Sequence, residues 1–242
     1  MVFHGLEYRV NFFTIPLLAE NNMLNKISID WQNIHTVFLD MDGTLLDLHY
    51  DNHFWLEHIP MRYAKKHQLH LDEAKNQLTS RYGKIKGTLN WYCIDHWSKQ
   101  LAMDIPALKQ EVAERIKIRG NVEPFLAFLQ QQNKHIILLT NAHPKTVAIK
   151  FQYAPLEPYF AQIITSHQIG LAKEQQGFWD KLHQFIDFDT QTSLFIDDNL
   201  TVLRAAQQHQ IAHLLAIHQP DSQQAVLDTE EFTAIECFRQ LF

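Results

Sequence analysis

The chain has 242 residues, of which 46% are hydrophobic, 12% aromatic and 20% charged. That length fits one large domain or two small ones, and the apolar share is that of a globular protein, which excludes global disorder. With 27 acidic and 21 basic residues the net charge is −6, and no basic run stands out. Nucleic-acid binding through phosphate contacts is therefore not expected, whereas a small phosphorylated ligand remains compatible, since backbone amides and one or two cations can hold it.

Residues 1–33 are expected to form an N-terminal extension. Phe12–Ala19 is apolar but short, follows Asn11 and is broken by Pro16. It has neither a basic flank nor a small-residue cleavage site, so a signal peptide is not expected. No stretch reaches the ~18–20 apolar residues of a membrane span. Glu20-Asn21-Asn22 reads as a turn directly before Met23, which makes Met23 a candidate native start and residues 1–22 additional.

From residue 34 the pattern becomes regular. Thr36-Val37-Phe38-Leu39 is apolar and β-rich, and Asp40 ends it. Such a run predicts a strand buried on both faces. His135–Leu139 (ending in Thr140), Gln162–Thr165, Ser193–Ile196 (ending in Asp197) and His213–Ile217 read the same way. Helical patterns fill the gaps at Val122–Gln132, Pro144–Tyr153, Gln175–Ile186 and Leu200–His209. Strands alternating with helices predict a parallel α/β sheet covered on both faces. Right-handed crossovers bring every strand's C-terminal end to one edge, where ligands bind.

One gap is too long for a loop. Residues 48–118 carry helical patterns at Asn52–Lys66, Asp72–Tyr82 with Asp72 as N-cap, Thr88–Leu101, and Ile105–Ile116 behind Asp104 and Pro106. The expectation is a helical cap, 48–118, inserted into a core of 34–47 and 119–242.

Four features lie at strand ends. Asp40-Met41-Asp42-Gly43-Thr44 puts two carboxylates in alternation and follows them with a glycine that permits a turn. Thr140-Asn141 offers a hydroxyl and amides ahead of a helix, an anion-binding arrangement, although Asn141 could equally be a plain N-cap. Lys173 sits in the loop after the third strand. Asp197-Asp198-Asn199 places two adjacent acids after the fourth; Asn199 suffices as a cap, and the acids repel unless a cation offsets them. Elsewhere the 15 histidines form no HExxH or HxH pattern, and Cys93 and Cys237 lack ligand partners at short spacing, so both are read as reduced thiols.

The order acid pair, Thr, Lys, acid pair resembles the haloacid-dehalogenase-like phosphohydrolase superfamily over residues 34–242. The strings Phe38–Leu48, Thr88–Cys93, Leu138–Pro144 and Leu194–Asp198 further resemble its bacterial GMP/IMP 5′-nucleotidase branch. One departure is Ala172, where close relatives are expected to carry a proline beside the lysine.

The resemblance implies a Rossmann-like parallel sheet with a cap. It implies Asp40 as nucleophile and Asp42 as general acid and base. Mg²⁺ would be held by Asp40, Asp42 (through its carbonyl) and Asp197, with Asp198 supporting. Thr140, Asn141, Lys173 and Gly43 would bind the phosphoryl group. An acid two residues after the nucleophile suits phosphate-ester chemistry rather than dehalogenation. The expected protein is a cytoplasmic, Mg²⁺-dependent hydrolase of purine nucleoside monophosphates, GMP and IMP first. The alternatives are a phosphatase or phosphomutase for a sugar phosphate or other small metabolite, and a non-enzymatic phospho-ligand sensor. Trp91, Tyr92 and Trp97 are expected on one cap helix, either stacking a purine or packing the cap; Asn90 and His96 are candidates for reading the base.

Overall fold

The structure is a computed structural model and describes residues 25–242; the apolar stretch at 12–19 and the candidate start at Met23 lie outside them. Six parallel strands form one sheet in the order β3-β2-β1-β4-β5-β6. They are β1 Thr36–Leu39, β2 His135–Thr140, β3 Gln162–Thr165, β4 Ser193–Asp197, β5 His213–Ile217 and β6 Ala234–Ile235. The central strand β1 is buried at every position, which is why it reads as a continuous apolar run rather than an alternating one.

The crossovers are α7 Val122–Gln131, α8 Pro144–Tyr153, α9 Ser166–Ile169, α10 Phe178–Leu182 and α11 Leu200–Gln208. Two apolar layers result. Leu39, Phe125, Leu126 and Leu138 belong to one face; Phe38, Trp179, Phe195 and Leu203 belong to the other. Residues 25–33 pack on the chain's far end, where Trp31 donates through Nε1 to the Leu241 carbonyl at 2.9 Å.

Between β1 and α7 lie α1 His49–His53, a π-helical turn Phe54–His58, α2 Ile59–His67, α3 Leu71–Gly83, α4 Leu89–Tyr92, α5 Ile94–Leu101 and α6 Ile105–Gln110. The two ends of this segment meet. The Asp47 amide donates to the Lys117 carbonyl at 2.9 Å, and the Arg119 amide to that of Leu45 at 2.9 Å.

Several boundaries differ from the sequence reading. The helix read over 52–66 starts at His49 and is interrupted by the π turn. Asp72 lies inside the first turn of α3; the extended residue at its start is His70. The helix read over 88–101 breaks at Cys93, whose ψ of 105° is extended, and Cys93 Sγ caps α5 by accepting from the His96 amide. Asp104 does cap α6 by accepting from the Ala107 amide at 3.0 Å, but α6 stops at Gln110, and Ala113–Arg115 is a separate 3₁₀ turn. The helix read over 175–186 shrinks to α10.

Candidate active site

All four sequence features reach the same sheet edge, because β1, β2, β3 and β4 are adjacent and parallel. Asp40 directly follows β1, and its carboxylate is almost wholly out of water. Lys173 reaches in from the loop after α9. Its ammonium stands 2.5 Å from Asp40 Oδ1 and 2.6 Å from Asp197 Oδ2, and it also donates to the Leu139 carbonyl at 3.1 Å. These contacts use all three of its N–H groups. Lys173 thus fixes Asp40 and acts on an incoming anion through its charge more than through a free donor.

Asp198 completes the group. Oxygens of Asp40, Asp197 and Asp198 lie within 4.8 Å of one another. Three carboxylates face one ammonium, so burial and mutual repulsion push them up. Burial, with Asp197 adding, raises Asp40 to about 6 against the pull of Lys173. Burial with Asp197 and Asp40 lifts Asp198 well above the ordinary range. Asp40 Oδ2 is buried and accepts no hydrogen bond. A buried, electron-rich oxygen beside two more carboxylates, with negative charge in excess, fits a hard divalent cation such as Mg²⁺.

Gly43 is what lets Asp198 come this close. Its φ is +86°, and a Cβ there would lie 2.4 Å from Asp198 Oδ2. Thr140 ends β2, and its Oγ1 accepts from the Ala142 amide at 3.0 Å. The N-cap of α8 is His143, not Asn141. The Asn141 side chain instead braces the lysine loop. Its Oδ1 accepts from the Lys173 amide at 2.9 Å and its Nδ2 donates to Glu174 at 2.9 Å. What Asn141 can offer a ligand is its backbone. Asn199 caps α11 through the Thr201 amide, which leaves both preceding aspartates free of that duty.

The loop carrying Lys173 is held without the expected proline. The Ala172 amide donates to Gln175 Oε1 at 2.7 Å, and the Gln175 amide returns a bond to the Ala172 carbonyl at 2.9 Å.

Asp42 points away from this group to a partner the sequence reading missed. Lys150 of α8 is 2.5 Å from Asp42 Oδ1 and 2.5 Å from Asp51 Oδ2 of α1. Lys109 of α6 joins Asp51 from the other side at 2.9 Å. Burial, with Asp51 and Asp40 adding, raises Asp42 to about 6 against Lys150. Burial opposes ionisation of Asp51 too, yet the two lysines hold it down at about 2. A lysine among charged neighbours in sequence is indistinguishable from a solvated one; only the helix pattern of α8, which puts Lys150 on its inner face, hinted at this.

A cleft of about 330 Å³ opens above the carboxylates, and its far wall is Trp55, Tyr82, Trp91 and Trp97. Trp97 is also packing: it is buried, stands edge-on to Tyr82 at 5.0 Å and donates to the Trp91 carbonyl at 2.8 Å. Tyr92 closes one side, donating to Glu174 at 2.7 Å. Trp97 thus packs the helical segment as the second reading expected, and Trp91 and Tyr92 line the cleft beside it. Asn90 and His96 do not line the cleft.

A second cluster joins Cys93, His143 and His167, which spacing along the chain could not show. His143 Nδ1 accepts from the Lys145 amide at 3.2 Å to cap α8, so its remaining nitrogen carries the hydrogen and faces Asp95. That assignment makes it a structural cap rather than a metal ligand.

Among the described residues no helix is long and apolar enough to cross a membrane. The family model of haloacid dehalogenase-like hydrolases matches residues 34–210. The GMP/IMP nucleotidase YrfG of Escherichia coli (strain K12) is 38% identical over 215 residues, covering 89% of this chain and 97% of that protein. Among solved structures, a HAD phosphatase from Thermococcus onnurineus superposes with a TM-score of 0.69 at 16% identity, over 86% of this chain and 95% of that one. The Bacillus subtilis HAD-hydrolase YfnB, bound to magnesium, gives 0.57 at 18% identity, over 86% and 96%. The parallel sheet, its site at the strand ends and these matches agree, and the chain belongs to the haloacid dehalogenase-like hydrolases, as a phosphohydrolase that resembles their GMP/IMP nucleotidase branch.

Proposed function

We propose that this protein is a Mg²⁺-dependent, cytoplasmic 5′-nucleotidase that hydrolyses purine monophosphates, GMP and IMP before others, through an aspartyl-phosphate. The observation that carries the reading is the two-ended cleft: a buried carboxylate–lysine cluster at the strand ends and an aromatic wall opposite. The name of the Escherichia coli relative supports the choice of substrate. Residues 48–118 act as the cap, supplying that wall, and 34–47 with 119–242 act as the catalytic core.

Mg²⁺ would be held by the Asp40 carboxylate, the Asp42 carbonyl and Asp197, with Asp198 in support. When bound it offsets the charge between nucleophile and phosphate. Thr140, Gly43 and the Asn141 amide cradle the phosphoryl oxygens. Lys173 holds Asp40 in line, and Asp40 attacks phosphorus as the ester bond breaks. Asp42 gives its proton to the leaving oxygen. It then takes a proton from the water that splits the aspartyl-phosphate, which restores Asp40. Such chemistry is mostly positioning and electrostatics.

Every phosphomonoester presents the same phosphate, so discrimination falls to the cap. A stacked base is worth ~1–3 kcal/mol, and a purine offers the larger face. The test is kcat/KM for GMP, IMP, AMP, CMP and glucose 6-phosphate at saturating Mg²⁺. GMP and IMP are expected to lead. A hexose phosphate matching GMP would leave a general small-metabolite phosphatase, and silence on every ester would favour a sensor.

A further inference from the structure

Lys150 is a charged side chain that the chemistry above does not use, yet it is only 1% exposed. A lysine is rarely buried so fully unless paired, because desolvation of the ammonium is costly. Its partners come from two parts of the molecule. One is Asp42, in the loop after β1; the other is Asp51, on α1 of the cap. Behind Asp51, Lys109 is just as buried. Its ammonium lies 4.3 Å from the Phe54 ring centroid and 4.9 Å from that of Tyr50, and Tyr50 donates to the Lys109 carbonyl at 3.0 Å. Charges alternate along the ladder Lys109, Asp51, Lys150, Asp42. One end is anchored in the cap's aromatic packing and the other is the proposed acid and base.

We propose that Lys150 is a positioning residue for the acid–base step: it holds Asp42 Oδ1, so that Oδ2 is the oxygen that carries the proton, and Asp51 ties that hold to the seated cap. The proposal rests on the phosphomonoesterase reading. The step it serves is balanced without Lys150 changing state. As the Asp40–phosphorus bond forms and the ester P–O bond breaks, the Asp42 proton passes to the leaving oxygen. As water attacks phosphorus and the Asp40–phosphorus bond breaks, a water proton returns to Asp42. Lys150 keeps its own proton throughout and contributes geometry. A carboxyl group with one oxygen drawn to a buried cation 2.5 Å away has fewer orientations open to it, and misplacement of a reacting group by ~1 Å costs about 10²-fold.

Positioning of an acid is distinguishable from mere support of the fold. An alkyl leaving group such as the nucleoside 5′-oxygen needs a proton to depart, and p-nitrophenolate does not. Lys150→Met, Lys150→Arg and Asp51→Asn are compared with wild type in rapid-mixing experiments. These follow first-turnover release of guanosine from GMP and of nitrophenol from p-nitrophenyl phosphate, with Mg²⁺ present. Lys150→Met is expected to slow guanosine release by roughly 10², in the range of lost acid catalysis, with KM for GMP within about threefold of wild type. The nitrophenol burst should slow by less than about tenfold, since that departure needs no general acid. Lys150→Arg, which keeps a cation able to reach both carboxylates, should recover about tenfold of the loss on GMP. Asp51→Asn leaves Lys150 and Asp42 paired but loosens their tie to the cap. It should show the same split at smaller size, and it serves if Lys150→Met does not fold. Equal slowing of both substrates in every folded variant, or unchanged guanosine release, would overturn the proposal. An inactive wild type on both esters would instead overturn the phosphomonoesterase reading.

Discussion

A methyl group on Gly43 would stand 2.4 Å from Oδ2 of Asp198. The two residues come from loops after different strands, and the glycine's missing side chain is the space the carboxylate occupies. Gly43→Ala therefore combines a left-handed φ, costing about 1–2 kcal/mol, with displacement of Asp198. The expected result is a lower Tm and a Mg²⁺ requirement raised by ~10–100-fold, the usual size of losing a supporting group around a metal. A Mg²⁺ titration of activity in the variant checks it; an unchanged midpoint would show that Asp198 has no part in holding the cation.

Asp197 and Asp198 should separate in the same assay. Asp197 is buried and in contact with Lys173, whereas Asp198 is half-buried and makes no ion pair with that lysine. Asp197→Ala is expected to raise the Mg²⁺ requirement more than Asp198→Ala does. The reverse order in parallel titrations would exchange their roles.

The strand-end half of this arrangement was legible in the sequence because chemistry and topology coincide there. All five strands that were read match their observed spans to within one residue, and their polar ends, Asp40, Thr140 and Asp197, fall on one edge as parallel strands require. The two-residue β6 is too short to leave a pattern. Residues 48–118 were legible only as helical. Their breaks at Cys93 and Gln110 arise from tertiary packing, which overrides local periodicity. The Lys150 and Lys109 pairs were invisible, since their partners lie 108, 99 and 58 residues away in sequence.

The carboxylate cluster predicts how stability responds to pH and metal together. Asp40 and Asp42 are each raised to about 6, so without metal the folded state binds more protons than the unfolded chain between pH ~4 and ~6. Their contribution to stability therefore falls as pH rises through that window. Mg²⁺ needs the Asp40 carboxylate deprotonated and should reverse the trend. Thermal unfolding is expected to show a larger Mg²⁺-induced rise in Tm at pH 7 than at pH 5. An equal rise at both would remove the Asp40 carboxylate from the metal site.

Ala172 replaces an expected proline, and its amide donates to Gln175 Oε1 at 2.7 Å. Proline has no such donor. Ala172→Pro should cost about 1 kcal/mol, the net value of one hydrogen bond, without raising kcat. Chemical denaturation checks this, and a stabilised variant would mean that the loop is rigid for another reason.

The proposed reaction depends most on Asp40 becoming covalently phosphorylated. The direct measurement is rapid acid quench of enzyme turning over GMP with Mg²⁺, followed by mass spectrometry of the proteolytic peptide containing Asp40. The predicted result is one phosphoryl group on Asp40, absent from Asp40→Asn, whose kcat should also fall by at least ~10³. A phosphoryl group on another residue, or an Asp40→Asn variant that keeps a substantial share of wild-type turnover, would contradict it.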